Sequence, residues 1–298
     1  EVFGILGPNG AGKTTTVHIL CTLLRATSGI VFIGGHDVSR QVNAVRRLIG
    51  VVFQEPCLDE RLTALENLAL HASLYGLPRP VIRQRADELL DLVELRERAR
   101  EPVRTFSGGM KRRLEIARVL IHRPRVLFLD EPTLGLDPQS RNRIWEYIRT
   151  LKQREGMTVF LTTHDMEEAE QADRLAILDR GRLVAMDSPE ALKRLAGGDM
   201  ITLRTDDDVS AQQRLEAHWG LEVHLSPQGL CFEAPRSGEL IPILLAQLGI
   251  PVRSVSTRSP TLNDVFLALT GRGLHDEPPG SREALKRWWR QRRWSGRY

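Results

Sequence analysis

The chain has 298 residues, 41% of them hydrophobic, enough for one large domain or two smaller ones with buried cores. Its formal net charge is +4, but residues 272–298 hold eight Lys/Arg against three Asp/Glu, so the remaining 34 basic and 35 acidic residues nearly cancel; a basic tail on a neutral body is not the folded basic surface that a nucleic-acid backbone requires. Cys21, Cys57 and Cys231 show no metal-type spacing and read as thiols of a reducing compartment, and no run approaches the roughly 18 apolar residues that span a bilayer, so any membrane work needs something else to do the spanning.

Residues 2–6 (VFGIL) read as a buried strand and 13–24 as a helix. Between them lies Gly7-Pro8-Asn9-Gly10-Ala11-Gly12-Lys13-Thr14, with Thr15 next, a full G-x-x-x-x-G-K-[ST] match in the strand–loop–helix setting that makes it meaningful. Such a loop aims backbone N–H groups inward and adds the positive end of the following helix. Lys13 can reach the β- and γ-phosphates, and the Thr14 hydroxyl can bind Mg²⁺. With no N-K-x-D guanine motif, ATP is favoured over GTP.

Residues 50–54 (GVVFQ) read as a second buried strand. From 62 to 100 the spacing of Leu65, Leu68, Leu74, Leu89, Leu90, Leu92 and Val93 predicts helices. Ser107 precedes Gly108-Gly109 and a helix over 110–122. Residues 125–129 form a strand ending in Asp130-Glu131. A helix over 140–155, a strand over 158–162 with His164 at its end, a helix from Met166 and a strand over 174–178 complete the run. Strands alternating with helices predict a mostly parallel α/β sheet with ligands at the C-terminal strand ends. There, Asp130 can hold Mg²⁺ through a water and Glu131 can polarise the water that attacks the γ-phosphate. An exposed acid pair at a strand end is common, and the phosphate loop upstream is what lifts this one above that reading.

After Gly197-Gly198 the pattern changes to strand (201–205), helix (209–219), strands (221–225 and 230–234), helix (239–248) and strand (252–257), a ferredoxin-like βαββαβ order closed by a helix over 261–270. The expected division is 1–197, with a helical subdomain at about 56–120, then 198–271, then a tail over 272–298 that begins as a linker. In the tail, Leu285, Trp288 and Trp289 share a helical face that Arg292 interrupts. The tail reads as solvated, as a contact with an anionic membrane or a membrane protein, or, least of the three, as a nucleic-acid contact.

Thr105-Phe106-Ser107-Gly108-Gly109-Met110-Lys111-Arg112-Arg113-Leu114, just before VLFLDEP, resembles the signature of ATP-binding cassette (ABC) ATPases, with Phe106 and Met110 in place of the usual Leu and Gln. Gln54 matches the family's glutamine loop, Gly135-Leu136-Asp137 its aspartate loop and His164 its switch histidine. With the phosphate loop and the Asp130-Glu131 strand, six motifs stand in the family's order. The resemblance implies two copies packed head to tail, each ATP lying between the loop of one and Ser107, Gly108 and Gly109 of the other. Ser107 also reads as an ordinary N-cap, and the two roles are compatible. It further implies that Gln54 links Mg²⁺ and the attacking water to the helical segment, that His164 meets the γ-phosphate, and that Asp137 acts across the dimer. The catalytic set is then Lys13, Gln54, Glu131 and His164; the metal set is Thr14, Gln54 and Asp130.

The stretch SPTLNDVFLALTGR (259–272) resembles the end of ATP-binding subunits of daunorubicin-resistance-type exporters. This implies a separate ABC-2-type permease docked at about 56–104, and a cytoplasmic position on the inner face of the membrane through that permease. A non-transport ABC ATPase working on nucleic acid or a ribosome is the alternative. ABC cassettes normally place antiparallel strands and an adenine-stacking aromatic before the first strand, so the chain is expected to be N-terminally truncated. The loss of one base–aromatic stack would weaken ATP binding by roughly 1–3 kcal/mol.

Overall fold

The computed structural model describes residues 1–55, 57–234 and 237–270, apart from the side chains of 154 and 155. The tail over 272–298 therefore lies outside the described residues, as does Pro56. The chain divides into two units, the first Glu1–Met186 and the second beginning at Asp187.

In the first unit, β1 (Val2–Leu6) leads into α1 (Lys13–Leu20), a short hairpin of β2 (Phe32–Ile33) and β3 (His36–Asp37), α2 (Val42–Leu48) and β4 (Ile49–Val52). The helices α3 (Ala64–Leu74), α4 (Arg79–Leu92) and α5 (Gly108–Leu120) follow. Then come β5 (Val126–Asp130), α6 (Pro138–Glu155), β6 (Thr158–Thr163), α7 (Met166–Ala169), β7 (Arg174–Asp179) and β8 (Arg182–Asp187). One six-stranded sheet results, in the order β4-β5-β6-β1-β7-β8. The pairs β4–β5, β5–β6, β6–β1 and β1–β7 are all parallel. Such strands are covered on both faces, which is why β1 and β5 read as nearly unbroken apolar runs. Register brings three strand ends level: Asp130 pairs Thr162, and Thr163 pairs Leu6.

The helical segment has a continuous core that includes Leu68, Ala72, Ala86, Leu90 and Leu114, all fully buried. Its helices start where local chemistry tells them to. Thr63 and Glu66 form a reciprocal capping box on α3. Ser107 caps α5 through the Met110 N–H.

The second unit holds α8 (Pro189–Leu195), β9 (Asp199–Thr205), α9 (Asp208–Trp219), β10 (Val223–Ser226), β11 (Gly229–Ala234), α10 (Ser237–Gln247), β12 (Val252–Arg258) and α11 (Leu262–Thr270). Its sheet runs β10-β11-β9-β12 with every pair antiparallel, the ferredoxin-like arrangement expected from the element order. Ile201, Leu203, Leu215, Leu230 and Phe232 form its core.

The helix expected over 13–24 stops at Leu20, because Thr22 enters the left-handed region at φ 64°. The N–H groups of Leu23 and Leu24 then turn back to the His18 carbonyl. The β2–β3 hairpin, α2, β8 and α8 have no counterpart in the sequence reading. β8 follows β7 across Arg180-Gly181, both at positive φ (49° and 75°), the geometry of a two-residue hairpin turn.

Candidate active site

The phosphate loop is shaped by the tight quarters between β1 and α1. A Cβ on Gly7 would come within 2.5 Å of the Leu178 carbonyl oxygen, so only glycine fits there. Gly12 sits at φ 101° and starts α1 with no side chain capping it, in contrast to α3, α5 and α6. Ala11 is buried, its carbonyl accepting from Gly181 N–H at 3.0 Å. Thr14 and Thr15 are exposed at the helix start.

Lys13 is only 5% exposed. Its ammonium donates to the carbonyls of Gly7 (2.9 Å) and Pro8 (3.3 Å), so it curls back over its own loop. Across the sheet end it stands 3.5 Å from Glu131, whose same carboxylate oxygen lies 3.2 Å from Nδ1 of His164. Strand order explains the meeting: β5, β6 and β1 are adjacent, so Glu131, His164 and the loop leave neighbouring strand ends. Glu131 is at φ 47°, unusual for a residue with a side chain, and its N–H is held by the Thr162 carbonyl at 3.1 Å. Asp130 is buried and accepts a hydrogen bond from the Thr162 hydroxyl. Burial, and then the charge of Asp130, push the Cys21 thiol up to about 12.

A second cluster forms at the starts of α5 and α6. Asp137 caps α6 and accepts from the Ser140 N–H (2.9 Å) and hydroxyl (2.6 Å), which hold its carboxyl below the usual range. A Cβ on Gly109 would come within 2.6 Å of that same Ser140 hydroxyl, so the Ser107-Gly108-Gly109 helix start rests directly on the Asp137 cap. Gln54 is exposed beyond the end of β4. Its neighbour Phe53 sets its place, with the ring against His18 of α1 at 5.8 Å.

The expected residues other than Gln54 thus fall into two groups: Lys13, Asp130, Glu131 and His164 with the loop, and Ser107, Gly108, Gly109 with Asp137. Sequence reading missed Arg112 and Glu115, a buried pair on α5 that reaches Phe53, Cys57 and the Glu131 turn. The local signal, opposite charges three residues apart, is masked by the neighbouring Lys111, Arg113 and Arg118 in a helix rich in charge. Among the described residues, no three His, Cys, Asp or Glu are grouped to hold a metal ion by themselves. The residues expected to hold a metal, Thr14, Gln54 and Asp130, would offer hydroxyl, amide and carboxylate oxygens, a set that suits a hard cation completing its shell with phosphate and water.

A family model described as ABC transporter matches residues 1–134. The daunorubicin/doxorubicin resistance ATP-binding protein DrrA of Streptomyces peucetius is 42% identical over 283 residues, covering 92% of this chain and 86% of that one. The chain belongs to the ABC transporter family. The linearmycin resistance ATP-binding protein LnrL of Bacillus subtilis is 40% identical, with 93% and 91% of the two chains covered. Among solved structures, a dimeric post-hydrolysis ATP-binding cassette bound to ADP and phosphate superposes with a TM-score of 0.58 at 32% identity, over 63% of this chain and 85% of that one. As an ABC ATPase subunit, the chain binds ATP and hydrolyses it. No described helix is long and apolar enough to cross a membrane.

Proposed function

We propose that two copies of this chain close head to tail on two ATP molecules and drive a separate ABC-2-type membrane permease that exports an antibiotic-like or lipid-like compound. The cargo class follows the names of the similar proteins, which concern resistance to daunorubicin and linearmycin and the export of Nod factors. The permease would hold the chain against the inner face of the membrane.

The observation that carries the catalytic reading is the convergence of Lys13 and His164 on one carboxylate oxygen of Glu131. In this reading the N–H groups of Gly10, Gly12, Lys13, Thr14 and Thr15 and the Lys13 ammonium hold the phosphates, while Gly7 and Ala11 donate to the carbonyls of Thr163 and Pro8 and shape the loop. Glu131 takes up a proton's share from the attacking water, and His164, on the other side of the carboxylate, fixes its direction and meets the γ-phosphate. Gln54 orients the same water. Ser107, Gly108 and Gly109 offer a second anion site at a helix start to the other copy's γ-phosphate, and Asp137 braces that start through Ser140. Thr14, Asp130 and Gln54 would hold Mg²⁺, which supplies charge neutralisation to the phosphates when bound.

Glu131→Gln keeps the size of the side chain and removes the base. Its turnover is expected to fall by about 10²–10⁴-fold, while size-exclusion chromatography with Mg²⁺-ATP shows a stable dimer. Wild-type turnover in this variant would remove Glu131 from the role.

A further inference from the structure

We infer that Arg112, held by Glu115, is a positioning residue for hydrolysis that fixes both the turn carrying Glu131 and the loop carrying Gln54. The inference rests on the roles proposed above for those two residues.

The Arg112 guanidinium has five N–H donors, and five acceptors surround it. Nε donates to the Pro132 carbonyl at 2.8 Å. Nη2 donates to the carbonyls of Asp130 (3.1 Å) and Glu131 (3.3 Å). Nη1 donates to the Phe53 carbonyl and to Glu115 Oε2 at 3.3 Å. The other Glu115 oxygen accepts the Cys57 N–H at 2.6 Å. Three consecutive carbonyls around Glu131 are thus tied to the same side chain. The segment bearing Gln54 is tied on both sides, at Phe53 by Arg112 and at Cys57 by Glu115.

Two features separate this junction from ordinary packing. Arg112 and Glu115 are 7% and 1% exposed, and a buried ion pair is commonly no more stable than apolar side chains of the same volume. What apolar side chains cannot supply is the set of directed bonds to backbone carbonyls. Glu131 also sits at φ 47°, a conformation that persists only where the surroundings hold it. The Arg112 fork grips the carbonyls on both sides of that residue. A Lys, with three donors radiating from a point, cannot match the fork.

The test uses the full chain with Mg²⁺-ATP and two variants, Arg112→Lys and the double variant Arg112→Met/Glu115→Leu, which replaces the pair with apolar volume and leaves neither charge stranded. In both, kcat is expected to fall at least about tenfold, with KM for ATP within about twofold of wild type and the double variant unfolding within a few degrees of it. Wild-type kcat in either variant would overturn the inference. So would a loss of fold in both, or a joint loss of ATP affinity and thermal stability, since the pair would then merely support the subdomain. Wild-type and Glu131→Gln controls keep the two readings apart. An inactive wild type or an unaffected Glu131→Gln sinks the proposed function, whereas normal controls beside an active double variant sink only the Arg112 inference.

Discussion

Lys13 and Glu131, 118 positions apart in sequence, stand 3.5 Å from each other at the end of the sheet, both nearly buried. The ammonium is also committed to the Gly7 and Pro8 carbonyls, so its head is held over the loop rather than swinging in solvent. A preplaced charge of this kind strengthens phosphate binding because little side-chain freedom is lost when the ligand arrives. Lys13→Met is expected to weaken ATP binding by roughly 10- to 100-fold, the value of one charge-assisted hydrogen bond at about 1.5–3 kcal/mol. Titration with a fluorescent ATP analogue reads this directly, and an unchanged Kd would mean that the phosphates bind elsewhere.

Ser107 separates a structural from a functional role. As the N-cap of α5 it accepts from Met110 N–H at 3.3 Å. Asp is as good a cap as Ser, so Ser107→Asp is expected to keep thermal stability near wild type while Ser107→Ala loses about 1 kcal/mol. If a γ-phosphate binds at this helix start, the Asp variant should lose ATP-dependent dimerisation and turnover through like-charge repulsion. Full ATPase activity in Ser107→Asp would reduce the residue to a cap.

Cys21 ends the loop helix as its C-cap and is 3% exposed. Its thiol is pushed up to about 12 from the ordinary 9.0, by burial first and Asp130 second. At pH 8, iodoacetamide is expected to label the exposed Cys57 while Cys21 reacts only on unfolding. Between pH 9 and 12 the unfolded chain gives up a proton that the folded chain keeps, so stability falls as pH rises, by at most about 1.4 kcal/mol per unit. Denaturation midpoints at pH 8, 9.5 and 11 should therefore decline more steeply for wild type than for Cys21→Ala. Parallel curves would show that the folded thiol ionises normally.

His71, on α3 beside Tyr75 and His122, is pushed down to about 4 by burial, then by Arg118, then by His122. Between the ordinary 6.5 and 4 the unfolded chain binds a proton that the folded chain refuses, so stability is lost as pH falls through that window. His71→Phe keeps an aromatic against Tyr75 and removes the titration. Its acid unfolding is expected to begin at lower pH than that of wild type. An identical acid limb in the two proteins would show that His71 stays neutral in both states or charges freely in both.

Much of the first unit was legible because its signals are local. A glycine loop before Lys13, a Ser before two glycines, and apolar runs ending in acids each declare a strand end or helix start within a few residues. Among the unread elements α8 carries such a signal, Ser188 capping a helix that opens on Pro189. β8 is half exposed along its length, with Leu183 and Met186 open to solvent, so it shows no buried alternation. α2 offers one fully buried position, Val45, in a seven-residue helix too short to show a helical period. Arg112 reads as part of a solvated Lys-Arg-Arg run, because its acceptors lie up to 59 residues away.

By itself the sequence determined the phosphate loop, the order of the motifs, the parallel first unit and the antiparallel second one. Loop conformations, caps and strand patterns depend on near neighbours, and near neighbours are written in the chain. Only the tertiary structure decided which of those residues meet. The strand order β5-β6-β1 brings Glu131, His164 and Lys13 to one point, the approach of Gly109 to Ser140 joins the signature to the Asp137 cap, and a buried Arg112–Glu115 pair reaches two loops at once. Those contacts arise from sheet order and helix packing, which set distances between residues that the linear pattern leaves independent.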